Sequence, residues 1–229
     1  MIHATYSHRS WNPIIALAFW LCALSGYGTE SSSTPAIAEI ENLESQLSRE
    51  PDNVDLLFRV GRAYYRKGAE GDKTAVEPAR KKLEKALELD AKHALARVVL
   101  GSVYTLKARD AFLPNGKMKW ARRGVETMDD AVASDPDSRE VRWIRALNNF
   151  HMPSFMKREE LVLKDLEWLW SHRRELDEKI CPQQVASFYG RALAKEGHVR
   201  EAREVWEEGL SFDPTSTEAA ALQGFLSEE

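Results

Sequence analysis

Three stretches of this chain carry the same short signal, a small residue placed beside or three positions before a tyrosine. Val60-Gly61-x-x-Tyr64 and Leu100-Gly101-x-x-Tyr104 share one form of it, and Tyr189-Gly190 opens the third instance. The third continues through Gly197, Ala202, Trp206 and Pro214, spacings that complete a helix–turn–helix unit of about 34 residues. The first two continue as Ala79-x3-Leu83-x2-Ala86 and Gly124-x3-Met128-x2-Ala131, and end at Asp90-Ala91 and Asp135-Pro136. Between them and the last unit lies a degenerate copy, with Trp143, Ala146 and Phe150 followed by Leu163, Leu166, Leu169 and Trp170. A single hairpin of this kind cannot bury its own apolar face, so the copies must stack.

Each recurring position has a physical reason. Gly190 and Ala202 are small where two helices cross closely, and Trp206 is large enough to fill the space between neighbouring hairpins. Gly197 suits a turn that needs a permissive backbone, and Pro214 starts the next unit after a helix has ended. From about Pro51 to Phe225 this pattern resembles the tetratricopeptide-repeat family. The resemblance implies an all-α, right-handed α-solenoid of about four helical hairpins, with loop insertions in three of them. Thr34-Pro35 reads as an N-cap and first-turn proline for a preceding helix with Ile37, Ile40, Leu43 and Leu47 on one face. Thr217 to Leu226 reads as a capping helix over the last apolar face.

The first residues differ in kind. Before Trp11 there is a basic Arg9 and no acid, and then the apolar run Ile14–Leu24. As a helix that run would reach about 17 Å, well short of the roughly 30 Å of a bilayer core. It has the length of a signal-peptide hydrophobic region, with Ala23-Leu24-Ser25 and Gly26-Tyr27-Gly28 as candidate cleavage sites. Residues 1–28 are therefore expected to be a signal peptide or membrane anchor, 29–35 a linker and 36–229 the repeat domain. Bulky Phe19-Trp20-Leu21 before Cys22 argues against lipidation. The protein is expected to be exported, to a bacterial periplasm or cell envelope, with membrane association if the N-terminus is retained. Loss of Cys22 would leave Cys181 alone, without an intramolecular disulfide.

The net charge of −4 lacks the basic footprint of a nucleic-acid binder. No His-Glu-x-x-His, Cys-x-x-Cys or glycine-rich phosphate loop occurs, and the histidines have no paired helical spacing. No catalytic, cofactor-binding or metal-binding residue is assigned, and the expected role is that of a non-catalytic protein-binding scaffold. The alternatives are a carrier or sensor of a small apolar ligand, or a non-catalytic subunit of an enzyme complex.

Two surfaces are candidates for a protein or peptide partner. The resemblance implies that first helices line a concave groove, and it places there Phe58 and Arg62, Val98 and Ser102, Trp143 and Leu147, and Ser187 and Arg191. The Lys and Asn clamp of chaperone-binding relatives is missing from these positions. Phe58, Val98 and Trp143 suggest a partly apolar groove for an amphipathic segment, or packing against the protein's own chain. Arg59, Arg62 and Arg66 share a helical face and are expected to be solvated or paired with acids. The insertions Ala69–Pro78, Arg109–Lys119 and His151–Glu159 fall at equivalent turns, so they should be neighbours along one edge. Phe112, Leu113, Trp120, Phe155 and Met156 make that edge apolar, as a satellite core between the loops or as a docking patch.

Overall fold

The computed structural model describes residues 33–177 and 179–227, with side chains from residue 37 onward. The expected signal segment lies outside the described residues. A leading helix, α1 (Ser33–Arg49), is followed by four hairpins and a final helix. The hairpins are α2 (Val54–Ala69) with α3 (Val76–Leu89), and α4 (Ala94–Asp110) with α5 (Pro114–Ser134). Then come α6 (Arg139–Phe150) with α7 (Glu159–Ser171), and α8 (Pro182–Lys195) with α9 (Val199–Leu210). The final helix, α10 (Thr217–Ser227), covers the last hairpin by packing on both α8 and α9. Because α1 begins at Ser33, the last three residues of the expected linker are helical.

The joints between hairpins are capped by side chains. Asn53 Oδ1 accepts from the Leu56 amide at 3.1 Å, and Ser138 Oγ from the Val141 amide at 3.4 Å. His93 Nδ1 does the same for Ala96 at 3.2 Å. Each side chain satisfies an amide that helix geometry leaves without a partner. Proline at the first position does this work for α8 by removing the amide altogether.

Within hairpins, small residues set the distance between helices. A Cβ added to Gly190 would stand 2.1 Å from Trp206 Nε1, and one on Gly101 would stand 2.5 Å from Met128 Cγ. Gly61 meets Leu83 in the same way, at 2.7 Å. Trp206 packs on Gly190 and meets the Phe225 ring at a tilt, with centroids 5.2 Å apart, so it fills the gap between its hairpin and α10. Gly197, at φ +90°, turns the chain between α8 and α9.

The insertions are not three equivalent loops. The first is a capped turn in which Asp72 accepts from the Thr74 amide at 2.9 Å and pairs with Lys67 at 3.1 Å. The Thr74 hydroxyl, which donates to Asp72 at 2.5 Å, then Lys67 and the Thr74 amide, hold the Asp72 carboxyl down at about 2. The second is mostly helix. Only Ala111, Phe112 and Leu113 separate α4 from the 21-residue α5. Trp120 therefore sits on α5, half-buried, with its ring stacked 5.5 Å from that of Tyr104. It belongs to the hairpin interior and not to a loop patch.

Candidate docking surfaces

The inner face is closed across its first three hairpins. Arg62 of α2 reaches past the second hairpin to pair with Glu140 of α6 at 3.1 Å. Behind that bridge Phe58 is buried against His93, with ring centroids 4.9 Å apart, and Val98 and Ser102 have no exposed surface. Ser102 Oγ accepts from Asn148 Nδ2 at 3.0 Å and donates to the Val98 carbonyl at 3.1 Å. Trp143 is buried edge-on to Phe188 at 5.6 Å. Phe58, Val98, Ser102 and Trp143 are thus core residues, and the expected apolar groove is filled by the chain's own side chains. The arginine stripe is paired as well, Arg59 with Asp55 at 3.6 Å and Arg66 with Glu39.

The fourth hairpin leaves the same face in a different state. Leu147, Ser187 and Arg191 are only half-buried there. The Arg191 guanidinium lies 4.8 Å from the Phe150 ring centroid, 5.4 Å from that of Phe188 and 5.8 Å from that of Phe225. Among the described residues no carboxylate lies within ion-pair distance of it. Desolvation lowers its pKa, but a guanidinium remains charged, and no acid beside it offsets the cost of burying that charge. The same seam holds His151, which is exposed as a residue although its ring meets Phe150 at 5.4 Å and Phe188 at 6.3 Å. Desolvation, and then the Arg191 charge, push its pKa down to about 4.

The third hairpin is held by ions, which the repeat pattern does not reveal. Asp165, fully buried on α7, accepts from Arg142 Nη1 at 2.8 Å and from Arg145 Nε at 2.7 Å and Nη2 at 2.8 Å. Arg145 also reaches Asp129 of α5 at 3.1 Å, and Arg158 meets the same carboxylate at 2.6 Å. Burial alone would lower the Arg145 pKa, but its bonds to Asp165 and the charges of Asp165 and Asp129 outweigh that and raise it. One signal was available in the sequence. Asp165 shares the buried face of α7 with Val162 and Leu169, where an acid is out of place unless paired.

Arg158 lies near the end of the third insertion, so the ionic cluster anchors the turn that carries Phe155, Met156 and Lys157. Phe155 is 67% exposed, Met156 half-buried, and Lys157 stands at φ +53°, a left-handed conformation rare outside glycine. In the second hairpin's turn Phe112 is 94% and Leu113 60% exposed. The two apolar turns do not form a satellite core. Their large side chains point into solvent.

These turns lie along one edge. Arg109 Nη2 donates to the Gly68 carbonyl at 3.1 Å, joining the ends of α4 and α2. Thr105 Oγ1 donates to Asn148 Oδ1 at 3.2 Å, joining α4 to α6, and Lys195 pairs with Glu159 at 3.6 Å across the third and fourth hairpins. At the opposite edge a cavity of about 280 Å³ is lined mainly by charged and polar groups, including Asp137, Arg139, Glu140 and Lys179. Cys181 caps α8, its thiol pushed up by burial and so harder to ionise.

The architecture is shared with known proteins. A thermophilic repeat protein of Thermus thermophilus, TTC0263, superposes with a TM-score of 0.65 at 14% identity, covering 83% of this chain and 90% of its own. MamA superposes with a TM-score of 0.51 at 19% identity, covering 75% of this chain and 85% of its own. The fold is that of tetratricopeptide-repeat proteins. No protein-family model matches the sequence, and neither does any curated protein. Within this fold the chain departs from a plain array at two places, the closed inner face and the apolar turns. Among the described residues no group of acids, histidines or cysteines is placed to hold a metal ion, and no helix is long and apolar enough to cross a membrane.

Proposed function

We propose that this chain is a non-catalytic protein-binding scaffold of the cell envelope, which grips an acidic residue or chain end of its partner with Arg191. The observation that carries this is a guanidinium cradled by Phe150, Phe188 and Phe225 with no carboxylate of its own among the described residues. Arginine pairs with carboxylates through two parallel hydrogen bonds, and rings that fix the fork reduce what must be ordered on binding. Leu147 and Ser187 flank Arg191 on the inner face and supply a short apolar and polar floor for the adjoining residues. A peptide or helix terminus fits this sector better than a long segment, because Arg62–Glu140 closes the rest. The charged groups buried in the third hairpin are spent on holding helices together, which supports a binding role over chemistry. Export rests on the Ile14–Leu24 run.

Displaying random peptides against the full chain tests the site. Selected peptides should carry Asp, Glu or a free C-terminus, and Arg191→Gln should weaken them about tenfold or more, as expected for a lost charged hydrogen bond. Equal selection by a stably folded Arg191→Gln chain would overturn the assignment. N-terminal sequencing tests export, since Met1 retained on soluble cytoplasmic protein would contradict it.

A further inference from the structure

We propose that the edge carrying the second and third intra-hairpin turns docks on an anionic lipid surface, independently of the Arg191 site. Phe112 and Leu113 project from a three-residue extended link, and Phe155 projects from the neighbouring turn. They stand as separate tips, without the contiguous groove that a protein partner would fill. A bilayer accepts isolated apolar tips at its headgroup boundary, where aromatic and aliphatic side chains bury while nearby cations meet phosphate.

Charge at this edge has the required sign. Residues 109–123 contain five basic residues and one acid, although the whole chain has a net charge of −4. The one acid, Asp110, is paired with Arg109 at 2.8 Å, and Glu159 is paired with Lys195. Lys117, Arg122 and Lys157 are exposed and have no acid partner among the described residues. The exposed acids nearest to them in the chain are Glu126, on the turn of α5 after Arg122, and Glu160, on the turn after Lys157. Two local features sacrifice stability to present these groups. Leu113 occupies the N-cap of α5 and makes no capping hydrogen bond, where Ser or Asp would. Lys157 occupies a left-handed position that glycine would fill with less strain.

The test must separate this edge from the apolar segment at residues 14–24, which could enter a bilayer by itself. An environment-sensitive dye is attached to the full chain through Asn115→Cys, beside the tip, with Cys22 and Cys181 replaced by Ser. A second preparation carries it at Asp137→Cys, on the opposite edge. With phosphatidylcholine vesicles containing phosphatidylglycerol, the dye at 115 should shift to the blue and be quenched by lipid-borne quenchers. The dye at 137 should not respond, and neither dye should respond to pure phosphatidylcholine. Lys117→Glu with Arg122→Glu should weaken the response at least about twentyfold, since each basic residue near such a surface contributes about fivefold. Phe112→Ser with Leu113→Ser and Phe155→Ser should abolish it, with circular dichroism unchanged. No response at 115, or an equal response at 137 or on neutral vesicles, would overturn the proposal. So would a response at 115 without vesicles that depends on protein concentration, which would identify a second copy as the occupant. A stable triple-serine chain that keeps vesicle binding but loses a defined protein partner would assign the edge to that protein.

Discussion

The third and fourth hairpins solve one packing problem with opposite chemistry. In the fourth, Gly190 lets the α8 backbone lie against Trp206, and the interface is apolar. In the third, the contact is filled by Arg142 and Arg145 gathered around a buried Asp165. The first solution draws its stability from area removed from water and from close contact. The second is a buried ion cluster, which adds little net stability over an apolar core but is costly to break. It adds direction, because hydrogen-bonded charges fix orientation where methyl groups do not. The ionic hairpin is also the one whose turn, held through Arg158 and Asp129, presents Phe155 and Lys157. The degenerate repeat thus trades packing for the positioning of a surface.

The largest effects should expose this asymmetry. Asp165→Ala leaves two buried guanidinium groups uncompensated and should cost about 3–5 kcal/mol in urea unfolding. Replacing Arg142, Arg145 and Asp165 together with Met, Leu and Leu should instead be close to neutral or gain about 1–4 kcal/mol. Trp206→Ala should cost a similar amount, about 3–5 kcal/mol, but no change of charge elsewhere should recover it. If the apolar triple is as damaging as the single change, the third hairpin is not held in the way described. Next in size, Gly190→Ala should cost about 1–3 kcal/mol by overpacking. That cost should shrink in a Trp206→Leu background, because the two sites touch. Additive losses would place the strain elsewhere.

The seam between the two hairpins should show in the pH dependence. His151 has its pKa lowered from 6.5 to about 4, so the folded chain binds fewer protons than the unfolded chain between those values. Its contribution to stability is complete above about 6.5 and is lost as pH falls through about 4. His151→Gln should therefore flatten the melting temperature over that window and leave it unaltered near pH 8. An unchanged slope would show that the ring is not desolvated by Phe150 and Phe188. The smallest effect should have the opposite sign. Leu113→Ser supplies the missing N-cap of α5 and should stabilise by about 0.5–1 kcal/mol. A loss of stability there would mean that Leu113 is packed and not presented.

The regular hairpins were legible because their signals are local. Glycine at a helix crossing or turn, proline after a helix end, and apolar residues three and four apart act within one or two turns of chain. The same logic located the turns that bear Phe112 and Phe155, although it mistook the second insertion for a loop. Helix continued there because α4 and α5 pack along their added length, with Trp120 stacked on Tyr104. The inner face was a different matter. The resemblance to the repeat family placed Phe58, Arg62, Val98 and Trp143 on it, but whether that face stays open depends on how tightly the hairpins coil.

Sequence by itself determined the number of hairpins, their order and the small residues at their crossings, since each follows from helical period and residue size. Only the tertiary structure decided which of those faces meets solvent. Arg62 and Glu140 are 3.1 Å apart across the intervening second hairpin, and Arg142, Arg145 and Asp165 converge from two helices. Neither arrangement has a fixed spacing along the chain. Ion pairs and curvature arise from the sum of small rotations between hairpins, and that sum is settled by packing the whole array at once.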